Sequence, residues 1–125
     1  MAIHQSGEDY LEAILTLRRR NGQVRSVEVA AELGYSKPSV SIAMKKLREQ
    51  GYVRMDESGL LSLTEEGEAV AQGVFERHTT LKKALMLLGV SEEDAAEEAC
   101  KLEHAISDST LEKIKAFLEK TQTST

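Results

Sequence analysis

Residues 23–63 read QVRSVEVAAELGYSKPSVSIAMKKLREQGYVRMDESGLLSL, and this stretch decides the fold. Ser26 is placed to cap a short helix whose Val27, Val29, Ala30 and Leu33 face inward, and Gly34 stops it. After a tight Gly34-Tyr35 turn, Ser36 caps a second helix, with Pro38 tolerated in its first turn and Gly51 closing it. Val40, Ala43, Met44 and Leu47 recur at spacings of three and four and form its inner face. Lys37, Ser39, Ile42, Lys45, Lys46 and Glu49 therefore point outward. Two strand-like runs, 52–55 and 60–63, flank the polar Asp56-Glu57-Ser58-Gly59 turn and predict a β-hairpin.

The flanking sequence extends this pattern. Ser6 with Asp9 resembles a capping box opening a first helix, whose stripe is Tyr10, Leu11, Ile14, Leu15 and Leu17 and whose end is Asn21-Gly22. Thr64 caps a long helix over about 65–88 with Val70, Val74, Leu81, Leu85 and Leu88 on its apolar positions, and Gly89 breaks it. Ser91 with Asp94 opens a helix through about 105. Ser107 opens the last, carrying Leu111, Ile114, Phe117 and Leu118, and the polar tail 121–125 is expected to fray. The expected fold is mainly α with a small β-hairpin: an N-terminal winged helix-turn-helix domain, residues 1–63, followed by a helical domain, residues 64–125.

Composition narrows the class. The chain has 125 residues, 41% hydrophobic and 30% charged, which suits a globular domain rather than a disordered segment. No apolar run approaches the roughly 18–20 residues of a membrane span, and the N-terminus lacks a signal peptide's apolar stretch. A single cysteine makes no internal disulfide. These features point to a cytoplasmic protein with no membrane partner. The net charge of −5 conceals an asymmetry, since residues 1–63 carry +1 and residues 64–125 carry −6. The window 18–54 carries +6, the local excess that a phosphate-binding segment needs.

Helix, helix, helix, hairpin is the order of a winged helix-turn-helix. The third helix can enter a major groove about 12 Å wide while the second braces it. Ser36 and Ser39 can donate to phosphates or bases at its start, beside Pro38. Lys37, Lys45 and Lys46 can neutralise phosphates, and Ile42 can meet a thymine methyl. Arg25 and Arg54 flank the unit. Any one of these lysines is ordinary solvated surface; the element order and the local charge together favour double-stranded DNA as the partner.

A second constellation concerns metal. Asp9 and Glu12 lie three apart on the first helix and so leave the same face. Cys100, Glu103 and His104 fall at i, i+3 and i+4 on one face of a later helix, and His78 lies midway along the long one. Thiolate, imidazole and carboxylate are ligands for divalent transition ions. Spacing alone leaves each open to a plainer reading: a solvated acidic pair, a small buried thiol, a hydrogen-bonded core histidine.

Five segments carry a resemblance across nearly the whole chain: EDYLEAI at 8–14, YSKPSVS at 35–41, LSLTEEG at 61–67, ERH at 76–78 and EACKLEHAIS at 98–107. In this order the sequence resembles the diphtheria toxin repressor family of metal-dependent transcriptional repressors, in its short form without the SH3-like domain. The resemblance implies that Asp9, Glu12, His78, Cys100, Glu103 and His104 form a regulatory metal site joining the first helix to the later ones, and that the helices after residue 64 form a homodimer. Leu81, Leu85, Leu88, Leu111, Ile114 and Phe117 are candidates for that interface, and equally for intrachain core. Asp9 and Glu12 match the manganese-responsive branch, whereas Cys100 matches the iron-responsive one, which makes this chain a hybrid. Lys82 and Ala96 stand where an iron-type ancillary site would have a carboxylate and a histidine. The implied cofactor is Fe²⁺ or Mn²⁺, with Zn²⁺ or Co²⁺ able to bind in vitro by their position in the affinity order.

The expected function is metal-dependent repression of metal-ion homeostasis genes. One alternative is a metal-independent winged-helix regulator sensing oxidation through Cys100. A small metallohydrolase is the other. It would need a general base and a substrate pocket that the sequence does not offer, and it leaves the wing unexplained.

Overall fold

The computed structural model describes residues 5–123. Its elements run α1 (Gln5–Asn21), α2 (Ser26–Leu33), α3 (Lys37–Glu49), β1 (Val53–Met55), β2 (Leu61–Leu63), α4 (Glu65–Leu87), α5 (Glu92–Leu102) and α6 (Asp108–Thr123). They gather into two compact units, Met1–Gly73 and Val74–Thr125. The first closes ten residues past Leu63 because the opening turns of α4 belong to its packing: Ala71 is buried in the same cluster as α1 and α3.

That first unit is a winged helix-turn-helix. Leu11 and Ile14 of α1, Val29 of α2 and Val40 and Met44 of α3 are almost fully excluded from solvent, with Val53 and Leu61 closing the core from the hairpin. β1 and β2 pair antiparallel in the register Val53↔Leu63, Arg54↔Ser62 and Met55↔Leu61. Asp56 shapes the connecting turn: its carboxylate accepts from the amides of Ser58 and Leu60, both at 2.9 Å, ahead of Gly59 at φ 84°. Residues 24 and 25 add a rudimentary third strand, since the Leu61 amide donates to the Val24 carbonyl at 2.8 Å and Arg25 bridges Leu60.

Thr64 joins the hairpin to α4. Its amide donates to the Tyr52 carbonyl at 3.0 Å and its hydroxyl to the Gly51 carbonyl at 2.6 Å, while that oxygen accepts from the Gly67 amide at 3.0 Å. The expected cap is therefore also a clasp across both strand ends. It brings α4 so close that a Cβ at position 67 would lie 2.0 Å from the Tyr52 carbonyl oxygen.

Several local expectations need correction. Ser26 is the first residue of α2 rather than its cap; Arg25 occupies the cap position, and its amide donates to the Glu28 carboxylate at 3.0 Å. Val27 is 47% exposed, because it lies off the stripe made by Val29, Ala30 and Leu33. Ser6 is inside α1, past its start, so it cannot cap it. α5 ends at Leu102, with Glu103 as its C-cap and His104 in the following turn, because the amides of Ala105 and Ile106 both turn back to the Leu102 carbonyl. Of the tail, 121–123 continue α6, and 124–125 lie outside the described residues.

The second unit comprises the rest of α4 with α5 and α6. Ser91 and Ser107 cap the latter two through the amides of Asp94 and Thr110, at 3.2 and 3.1 Å. Val74, Leu81, Ala95, Ala99 and Leu111 are its buried apolar residues. Beside them, Leu81, Leu85, Leu88, Leu102, Ile114 and Phe117 line an apolar groove of about 580 Å³, and Leu88 and Phe117 are 78% and 60% exposed. Among the described residues no helix is long and apolar enough to cross a membrane.

Candidate metal centre and nucleic-acid face

Glu103 lies at the middle of the candidate metal-binding cluster. Its side chain is 1% exposed, an expensive position for a carboxylate without charged or polar partners. One oxygen, Oε2, lies 3.1 Å from His78 Nδ1; the other, Oε1, lies 3.3 Å from His104 Nε2. Cys100 Sγ lies 3.7 Å from the same His78 nitrogen. The ligand atoms of His78, Cys100 and Glu103 all fall within 4.8 Å of one another. α4 supplies His78, the last turn of α5 supplies Cys100, and the C-cap position supplies Glu103.

A thiol, a carboxylate and an imidazole this close together fit a divalent transition ion. The set also matches in charge, because the buried Glu103 carboxylate is the anionic pole a cation would neutralise. Burial, with the nearby Lys82 ammonium as the smaller cause, holds the His78 pKa below its ordinary 6.5. That direction favours the neutral ring, the form in which a histidine ligates. Lys82 Nζ lies 3.3 Å from Glu92 Oε1.

Arg77, which the sequence pattern did not single out, holds the turn that bears Glu103. Its Nη1 donates to the carbonyls of Glu103 and Ile106, at 3.3 and 2.8 Å, and its Nη2 to the Asp108 carboxylate. The signal available was its position beside His78 in the ERH segment, but its partners lie 26–31 residues away and follow no spacing rule.

Asp9 and Glu12 lie on α1 in the first unit, both half-buried and both engaged. The DNA-facing candidates also lie in that unit. Lys37, Pro38, Ser39, Ile42, Lys45 and Lys46 are exposed on α3, with Ile42 69% exposed, and Arg54 is exposed on β1. Ser36 and Ser39 are linked: Ser36 Oγ accepts from the Ser39 amide at 3.3 Å and donates to Ser39 Oγ at 2.8 Å. Ser39 thus retains its own hydroxyl proton to give. Arg25 differs from the others, because its guanidinium donates to the Ser58 carbonyl at the tip of the hairpin.

Comparison with known proteins agrees in both units. The family model for the N-terminal DNA-binding domain of iron-dependent repressors matches residues 3–61, and the one for their metal-binding and dimerisation domain matches 64–125. An uncharacterised HTH-type transcriptional regulator of Methanocaldococcus jannaschii is 42% identical, over 93% of this chain and 94% of its own length. The transcriptional regulator MntR of Escherichia coli is 40% identical, over 90% of this chain and 73% of its own. A solved manganese-dependent transcriptional repressor in complex with manganese superposes with a TM-score of 0.84 at 33% identity, covering 90% of this chain. The manganese regulator SloR gives 0.80 at 31%, covering 95%. The chain spans 52% and 55% of those two structures' lengths.

Proposed function

The chain belongs to the iron-dependent repressor family, and from that membership we propose that it is a transcriptional repressor of metal-ion homeostasis genes whose DNA binding depends on a divalent metal. The observation that carries the reading is the buried Glu103 carboxylate set between His78 and His104, with Cys100 Sγ 3.7 Å from His78 Nδ1. The family descriptions name DNA binding, metal binding and dimerisation and no catalysis, which favours a metal signal over oxidation of Cys100 as well as over a hydrolase.

The ligands are Asp9 and Glu12 from α1, His78 from α4, and Cys100, Glu103 and His104. A bound cation supplies the positive charge that makes this cluster of carboxylates, thiolate and imidazoles favourable. Glu103 serves both histidines, one through each carboxylate oxygen. Asp9 and Glu12 couple the site to the DNA-binding unit, because α1 contributes the largest part of that unit's core. Fe²⁺ or Mn²⁺ is the signal, the latter by similarity to relatives whose names state manganese; Zn²⁺ or Co²⁺ also binds in vitro.

On the DNA side, α3 enters the major groove. Lys37, Lys45, Lys46 and Arg54 meet phosphates; Ser36, Ser39 and Ile42 lie at base edges; Pro38 fixes the first turn. Two copies form a homodimer through the apolar groove of the second unit, which presents one α3 to each operator half-site. Work on chromosomal DNA puts the protein in the cytoplasm. Metal and operator binding are linked reciprocally, by roughly 1–3 kcal/mol.

The test is anaerobic selection of genomic DNA fragments by the protein in chelator, Mn²⁺ and Fe²⁺. Enrichment of a discrete promoter set with metal alone is expected, and it identifies the ion. Equal enrichment in chelator would overturn the metal dependence, and no enrichment anywhere would overturn the regulator reading.

A further inference from the structure

We propose that Arg77 is the positioning residue of the metal centre: its guanidinium fixes the 103–106 turn against α4 and so sets the separation of Glu103 from His78. The inference rests on the metal-site reading above and deepens it.

The argument begins where α5 stops. The last carbonyls of a helix have no partners within it. Glu103 is the C-cap, so its carbonyl and that of Ile106 emerge into the turn leading to α6. One Arg77 nitrogen takes both carbonyls, and the other takes the carboxylate of Asp108, the first residue of α6. Three acceptors from one turn thus converge on a planar fork, which a lysine's single ammonium cannot reproduce. The Arg77 side chain is 22% exposed and its bonds to the two carbonyls are part-buried, whereas its bond to Asp108, 89% exposed, faces solvent.

The geometry ties this clamp to ligation. Arg77 and His78 are neighbours on α4, so one helical step carries both the clamp and a ligand. Glu103 is held twice, at its carbonyl by Arg77 and at its carboxylate by His78. Release of the carbonyl lets the turn shift relative to α4, and the 3.1 Å spacing of Glu103 from His78 shifts with it. Cys100 lies one turn earlier on α5 and depends less on the clamp.

The test uses the whole chain with Arg77→Ala, Arg77→Lys and Asp108→Asn. Mn²⁺ and Co²⁺ affinities are measured by competition titration, the Co²⁺ absorption spectrum is recorded at saturation, and amide hydrogen exchange is followed in chelator. We expect Arg77→Ala to weaken both metals about 10–100-fold, to change the Co²⁺ ligand-field bands, and to lose protection at Ala105 and Ile106 while α2 and α3 keep theirs. Arg77→Lys recovers part of the affinity, and Asp108→Asn, which keeps the carbonyl bonds, loses only a few-fold. Should Arg77→Ala fail to fold, the Lys and Asn variants carry the same ranking. Affinities within twofold of the parent in all three variants, even with lowered thermal stability, would overturn the inference and leave the metal site intact. A parent chain that binds neither ion would instead overturn the metal-site reading beneath it.

Discussion

In the proposed ligand set a soft sulfur donor at position 100 stands beside hard carboxylates, and that mixture makes Cys100 the position at which metal preference is most easily moved. Its sulfur lies 3.7 Å from His78 Nδ1, close enough for both atoms to reach one ion. Cys100→Glu should therefore raise the preference for Mn²⁺ over Co²⁺ and Zn²⁺ by about tenfold or more, and it should abolish the sulfur-to-Co²⁺ charge-transfer band. Competition titration and the near-ultraviolet spectrum check this. An unchanged preference would remove Cys100 from the ligand set. Gly67 is the residue where backbone closeness matters most. Gly67→Ala forces a Cβ against the Tyr52 carbonyl, which cannot yield without moving the hairpin. A loss of about 3 kcal/mol is expected in chemical denaturation, and a neutral result would mean that α4 starts farther from β1.

Among the elements, α3 and the hairpin separate two roles that basic residues share on paper. Lys46 is exposed on α3, whereas Arg25 reaches the Ser58 carbonyl. Lys46→Ala should weaken binding to all DNA sequences and lower the salt slope by about one. Arg25→Ala should also weaken operator binding, but mainly by releasing the hairpin. Its salt slope should stay near the parent value, while exchange at the Leu60 and Leu61 amides rises. A full unit drop in slope for Arg25→Ala would instead make it a phosphate contact. The capping serines illustrate why these elements were readable. Ser36, Ser91 and Ser107 each accept from an amide three residues on, a rule that needs only local sequence. Ser26 failed by one position because Glu28 reaches back to the Arg25 amide, a competing contact equally local but not chosen by residue type.

At the scale of the whole molecule, the apolar groove of the second unit carries the prediction. Leu88 and Phe117 expose large apolar surface at its rim, an arrangement that suits burial against a second copy. Phe117→Glu combined with Leu88→Glu should yield monomers in sedimentation analysis, with helical content retained. Operator affinity should fall by about a hundredfold or more as the two half-sites cease to be bound together. Dimers that persist would move the interface elsewhere.

The order of helices and hairpin, the exposed basic face of α3 and the identities of the ligand-type residues were determined by the sequence alone. Each follows from short-range rules: apolar periodicity, capping side chains, and glycines at the ends of helices, as with Gly34 at φ 71°. The near-complete burial of Glu103 against the His78 imidazole, the Thr64 clasp and the Arg77 fork were decided only by tertiary structure. The bonds of Thr64 to Gly51, of Glu103 to His78 and of Arg77 to the 103–108 turn join residues 13–31 positions apart, where no periodicity constrains the partners. Such a pairing forms only after packing has brought the helices together, because desolvating a carboxylate or a guanidinium becomes favourable once its partners are already in place.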